Sequence, residues 1–229
     1  MVLLFDKPVY WTSFDLVSKI RNMIRSSFGI RDIKVGHAGT LDPLASGLMI
    51  ICTGKATKRI EEFRDLDKEY VASIHLGKTT PSYDLETEID GSYPTEHITE
   101  SMVKETLQEF TGEQDQVPPL HSAKLIKGKR AYEYARKGID KKLEPVRVIF
   151  RELELLSFGL PETRIRILCS KGTYVRSFAR DLGKALGSGA YLSSLERSAI
   201  GPHRLKDAYD IGKFENILGK LKQTGNFYV

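Results

Sequence analysis

A chain of 229 residues that is 41% hydrophobic can form a sizeable core as one large domain or two small ones, and its formal charge of +5 permits a nucleic-acid partner without requiring one. Its two cysteines, Cys52 and Cys169, lie in apolar runs with no CxxC or Cys/His cluster, which argues against a disulfide scaffold or a zinc site. No apolar stretch approaches membrane-spanning length, and Met1–Phe5 is stopped at once by Asp6-Lys7-Pro8, so neither a signal peptide nor a membrane segment is expected and the protein is read as cytoplasmic.

The basic excess is local. Residues 124–151 carry ten Lys or Arg and three Asp or Glu, leaving 25 basic and 27 acidic residues elsewhere. Residues 82–100 hold six acids and no Lys or Arg, a composition that should avoid a phosphate backbone.

In chain order, Val2–Phe5 reads as a short buried strand ended by Asp6-Lys7-Pro8. Thr12 and Asp15 fit a capping box, and the following helix places Leu16, Val17, Ile20, Met23 and Ile24 on one face, with Arg21 and Arg25 in solvent. Next comes Gly-His-Ala-Gly-Thr-Leu-Asp-Pro-Leu-Ala-Ser-Gly-Leu, residues 36–48. Its glycines and Pro43 allow a sharp, stiff turn that presents His37 and Asp42. On spacing alone this is equally a plain turn or a catalytic loop. Leu48–Cys52 then reads as a buried strand.

Tyr70, Ala72, Ile74 and Leu76 share one strand face, with His75 on the other. Thr79–Pro94 is turn-rich and expected to carry structure, not chemistry. Thr99 caps a helix bearing Met102, Val103, Leu107 and Phe110. In 117–143, Lys124, Lys127, Lys129, Arg130 and Arg136 are interleaved with tyrosines. This stretch is either a solvated hairpin with a short helix or an RNA clamp, since Lys and Arg neutralise phosphates and Tyr offers a stacking face. A phase slip near Arg151 predicts a bulge, and Arg164–Cys169 alternates as a half-buried strand. Val175, Phe178, Ala179, Leu182 and Leu186 form a helix stripe with Tyr174 and Arg176 at its start. Asp210-Ile211 opens a last helix with Phe214 and Leu218.

The loop at 36–48 resembles the motif of the TruB family of tRNA pseudouridine synthases. Further matches are Asp67-Lys68-Glu69-Tyr70, Ser122-Ala123 with Tyr132–Arg136, Lys171-Gly172-Thr173-Tyr174-Val175-Arg176, and the Gly189–Arg197 strand. The resemblance implies an α+β pseudouridine synthase fold: a large mixed, mostly antiparallel sheet flanked by helices, with a basic thumb insertion at about 117–143. It implies one catalytic domain over 1–229, without the PUA domain that follows in most members.

It also implies roles. Asp42 would be the nucleophile, and Tyr70 and Arg176 would share the catalytic site. His37, Tyr70, Tyr174 and Leu195 would hold the flipped base, Arg176 would pair with the catalytic Asp, and Lys124, Lys127, Lys129, Arg130 and Arg136 would bind RNA. Arg197 matches a family RNA contact, whereas Glu196 departs from the pattern, as His121 does from the usual aromatic before Ser-Ala. The expected partner is the T-arm of tRNA, bound by a monomer without cofactor or metal, with the T-loop uridine 55 as substrate. An RNA-binding protein that has lost catalysis, or a synthase for another RNA, are the alternatives.

Overall fold

A computed structural model describes residues 1–122, 124–126, 128–139, 141 and 143–224. Its elements begin with β1 (Val2–Lys7), α1 (Ser13–Phe28), β2 (Val35–His37), β3 (Ala45–Thr53), α2 (Ile60–Arg64), β4 (Lys68–Leu76), β5 (Lys78–Thr79), β6 (Gly91–Ser92) and α3 (Glu100–Phe110). There follow β7 (Gly112–Gln116), β8 (Leu125–Ile126), β9 (Lys129–Arg130), α4 (Ala131–Ala135), β10 (Val146–Ser157), β11 (Glu162–Cys169), α5 (Val175–Ala185), β12 (Ala190–Ile200), β13 (His203–Arg204) and α6 (Ile211–Thr224). Nine of the described strands belong to one large, mostly antiparallel sheet, as the α+β expectation requires. The chain divides into two compact units, Met1–Glu69 with Glu196–Val229, and Tyr70–Leu195.

In the first unit, β1 runs antiparallel to β3 from Val2↔Cys52 to Lys7↔Gly47, and β2 pairs with β3. The apolar run of β3 is buried because Leu48, Ile50 and Cys52 pack with Ala38, Phe63 and Ile200. Helix α1 starts where predicted. Thr12 Oγ1 accepts the Asp15 N–H at 3.0 Å and the Thr12 N–H donates to Asp15 Oδ2 at 2.9 Å, a cap of about 0.5–2 kcal/mol. Its five predicted apolar side chains are all buried, each contributing roughly 1.5–3 kcal/mol. Gly29, at φ 68°, ends it in the left-handed region. On α6, Phe214 sets its ring edge-on to Phe5 at 4.9 Å.

Two expectations are corrected here. Strand β1 does not stop at Phe5 but continues through Lys7, because Asp6 and Lys7 stay paired with β3. Arg21 is not simply solvated: its guanidinium donates to the Val35 carbonyl at 3.2 Å and ties α1 to β2.

In the second unit, β10 pairs with β7 on one side and β11 on the other, and its register shifts between Phe150 and Glu152, at the expected bulge. Helices α3 and α5 meet through Phe110 and Phe178, and Phe178 also packs on Phe150. Strands β8 and β9 pair antiparallel, Leu125 with Arg130 and Ile126 with Lys129, and α4 follows.

Candidate active site

The loop between β2 and β3 belongs wholly to the first unit and is fastened through its main chain. Ser13 Oγ donates to the Leu41 carbonyl at 3.0 Å and accepts the Leu41 N–H at 2.9 Å. The Ala45 N–H returns to the Asp42 carbonyl at 3.1 Å, closing the turn around Pro43. Arg197, only 1% exposed, grips the loop and strand together: Nε donates to Leu48 O at 2.8 Å, and the two terminal nitrogens donate to Gly39 O at 3.2 Å and Thr40 O at 3.4 Å. Gly47, at φ 106°, is required beside it, since a Cβ there would fall 2.5 Å from the Arg197 carbonyl oxygen. Arg197 is thus a buried clamp and not an exposed RNA contact, which corrects the role taken from the resemblance.

Asp42 is half-buried on this fixed turn. Beside it in charge, though not in sequence, stands Lys7. Its side chain is fully buried, and Nζ donates to Pro8 O at 2.8 Å and Trp11 O at 2.7 Å. Burial pulls the ammonium down to about 8 from 10.5, while the Asp42 carboxylate pulls the other way. His37, half-buried on β2, is pushed below its ordinary value by burial and then by the Arg197 charge, so its imidazole is neutral at physiological pH.

The depressed lysine has a measurable consequence. The folded ammonium loses its proton first, so between pH about 8 and 10.5 the unfolded chain holds more protons and the stability owed to this residue rises with pH. Lys7→Met lacks that rise. The difference in unfolding free energy should therefore move in favour of the wild type by about 3 kcal/mol across the window, followed by urea titrations at successive pH values. A flat difference would contradict a charged Lys7 in the core.

The second unit holds the other predicted residues. Tyr70 is buried on β4 and Leu195 is half-buried on β12. Tyr174 caps α5, where the Gln116 amide receives its N–H at 2.8 Å and donates to its carbonyl at 3.1 Å. Two residues after that cap, in the first turn of the helix, Arg176 is 5% exposed. Its Nε lies 3.5 Å from Asp84 Oδ2 and its terminal nitrogen donates to the Ser82 carbonyl at 3.4 Å. Asp84 is itself buried and accepts the Glu86 N–H at 3.0 Å. An acid expected to be structural therefore holds the arginine expected to be catalytic.

Of the basic residues in the thumb, Lys124 donates to the Glu144 carbonyl at 3.0 Å, Lys129 and Arg130 are exposed on the hairpin, and Arg136 lies over the Tyr132 ring at 5.2 Å. Lys127 lies outside the described residues.

Lys7, Ser13 and Asp84 were missed as site residues, and the burial of Arg197 was missed. Strand parity could have found two of them: Lys7 shares a face with buried Phe5, and Arg197 with buried Ala199. No local signal points Asp84 to its partner, 92 positions away.

The fold is similar to that of chains in a solved Cbf5-Nop10-Gar1 complex, with TM-score 0.75 and 26% identity, and in an H/ACA RNP bound to a substrate RNA containing 2'-deoxyuridine, with TM-score 0.71 and 25% identity. Each match covers 99% of this chain, which spans 56% of the length of those chains. The profile of the TruB family pseudouridylate synthase (N terminal domain) matches residues 25–175. Proteins called tRNA pseudouridine synthase B are similar along most of their length: one from Phocaeicola vulgatus is 58% identical over 93% of this chain and 91% of its own, and one from Flavobacterium johnsoniae is 50% identical over 95% of each. The chain belongs to the TruB family of pseudouridylate synthases. None of the described helices is long and apolar enough to cross a membrane.

Proposed function

We propose that the chain isomerises a tRNA uridine, the T-loop residue at position 55, to pseudouridine, with Asp42 as nucleophile. The observation that carries this reading is the Asp42 turn: in a member of this family, a half-buried aspartate sits on a loop whose main chain is held by Ser13 and by the buried Arg197. Rigid presentation is what a nucleophile needs to meet one atom of a substrate repeatedly.

The reaction breaks N1–C1′, turns the base and joins C5 to C1′; the C5 hydrogen leaves to water and N1 gains a proton. It is redox-neutral and calls for no cofactor. The base must first leave its stack, at a cost of roughly a few kcal/mol. We assign Tyr70 and Tyr174 to grip it, at about 1–3 kcal/mol for each aromatic stack, with Leu195 and neutral His37 completing the contacts. Arg176 is assigned the support of negative charge at the reacting base. The protein works as a monomer in the cytoplasm on the T-arm.

The test follows the C5 hydrogen. Unmodified tRNA carrying uridine tritiated at C5 should release tritium to water with repeated turnovers, and no release would overturn the reading. The thumb is assigned to the phosphate backbone. The double substitution Lys129→Ala with Arg130→Ala should weaken tRNA binding, leave kcat unchanged and flatten the plot of log Kd against log salt by between about one and two units. An unchanged slope would remove these residues from the interface.

A further inference from the structure

Two non-glycine residues among those described sit at positive φ, Tyr83 at 64° and Tyr10 at 69°. The left-handed region is disfavoured for any residue with a Cβ, and glycine is its usual occupant. Tyr83 has an internal reason to be there. Its carbonyl accepts the Leu192 N–H at 2.9 Å and its ring lies under the Arg180 guanidinium at 4.9 Å. Tyr10 is different, since its residue surface is 80% exposed, the highest value among the exposed large hydrophobic side chains described.

Its backbone is nevertheless firmly held. The Tyr10 N–H donates to the Pro43 carbonyl at 2.7 Å, one residue past Asp42. Buried Lys7 also fastens the chain before and after Tyr10, through Pro8 O and Trp11 O. A stiff, strained segment thus holds an aromatic ring in water, next to the turn that carries the proposed nucleophile. Backbone strain kept at such a place points to function.

We propose that Tyr10 is a further substrate-binding residue, its ring a platform on which a base of the bound tRNA, adjacent to the reacting uridine, stacks. The inference rests on the RNA-modifying reading above. A nucleobase is the favoured occupant because a single ring on a rigid support offers a flat π-face that suits any base, and because its anchor is the loop assigned to the reaction. A platform of this kind binds without touching the reacting atoms, so it acts on affinity and not on the chemical step.

The test compares Tyr10→Gly and Tyr10→Phe in the full chain, using unmodified tRNA transcript. The glycine removes the ring and the strain together, so its melting temperature should equal or exceed that of the wild type. Its KM and its Kd for tRNA should rise between about fivefold and a hundredfold, with kcat within about twofold, while Tyr10→Phe behaves as wild type. Unchanged binding in Tyr10→Gly overturns the proposal, as does a binding loss in Tyr10→Phe, which would assign the contact to the hydroxyl. A fall in melting temperature would show the ring to be a structural support. Self-association of the wild type that Tyr10→Gly abolishes would assign the ring to a second copy of the chain. A wild type that forms no pseudouridine defeats the functional reading itself; an active wild type with an unaffected Tyr10→Gly defeats only this inference.

Discussion

Asp42→Asn should lower turnover on tRNA by on the order of 10⁴-fold while leaving the Kd for tRNA within about twofold. The amide has nearly the shape of the carboxylate but cannot act as an anionic nucleophile. The turn should survive the change, because Ser13 with Leu41, Ala45 with the Asp42 carbonyl, and Arg197 with Gly39 and Thr40 hold its main chain. A second reporter lies inside the same unit. Losing the negative charge removes an upward pull on Lys7, so its ammonium should titrate below the wild-type value of about 8. Single-turnover tritium release and fluorescence anisotropy separate the two effects. Turnover within tenfold of the wild type would remove Asp42 from the reaction.

Arg197→Ala should destabilise the fold by about 3–5 kcal/mol, the largest stability change expected here. Arg197 is among the largest fully buried side chains, so truncation leaves a cavity and takes the guanidinium partner from three carbonyls at once. Arg197→Lys keeps the charge, but a single ammonium cannot span acceptors on Gly39, Thr40 and Leu48, and an intermediate loss follows. The effect should also reach His37. The arginine charge holds that imidazole down, so its removal should let the histidine titrate higher. Urea unfolding measures the first and proton NMR the second. A loss under about 1 kcal/mol for Arg197→Ala would mean that the clamp does not hold the loop.

What the sequence made legible was whatever is repeated or local. The stripe of α1, its Thr12–Asp15 cap, the β3 run and the bulge at Arg151 each follow from a few neighbouring residues. The turn around Pro43 was legible in the same way, because its Asp-Pro and flanking glycines are contiguous. Long-range pairings of charged groups were hidden. Arg197 reads as a surface cation until its carbonyl partners, 149–158 positions away, are seen to bury it. Lys7 reads as part of the stop that follows Phe5, yet ladder pairing carries the strand through it and leaves its ammonium in the core. Asp84 sits in an acidic stretch where charge alone suggests a solvated loop, and only the fold brings Arg176 to it. A polar residue's environment is set by partners that its neighbours do not name.

The most direct measurement is carbodiimide mapping of pseudouridine in an unmodified tRNA transcript after incubation with the wild type and, in parallel, with Asp42→Asn. A primer-extension stop at T-loop position 55 with the wild type, and none with the variant, is the predicted result. A stop at a different uridine, no stop at all, or equal stops with both proteins would contradict the account.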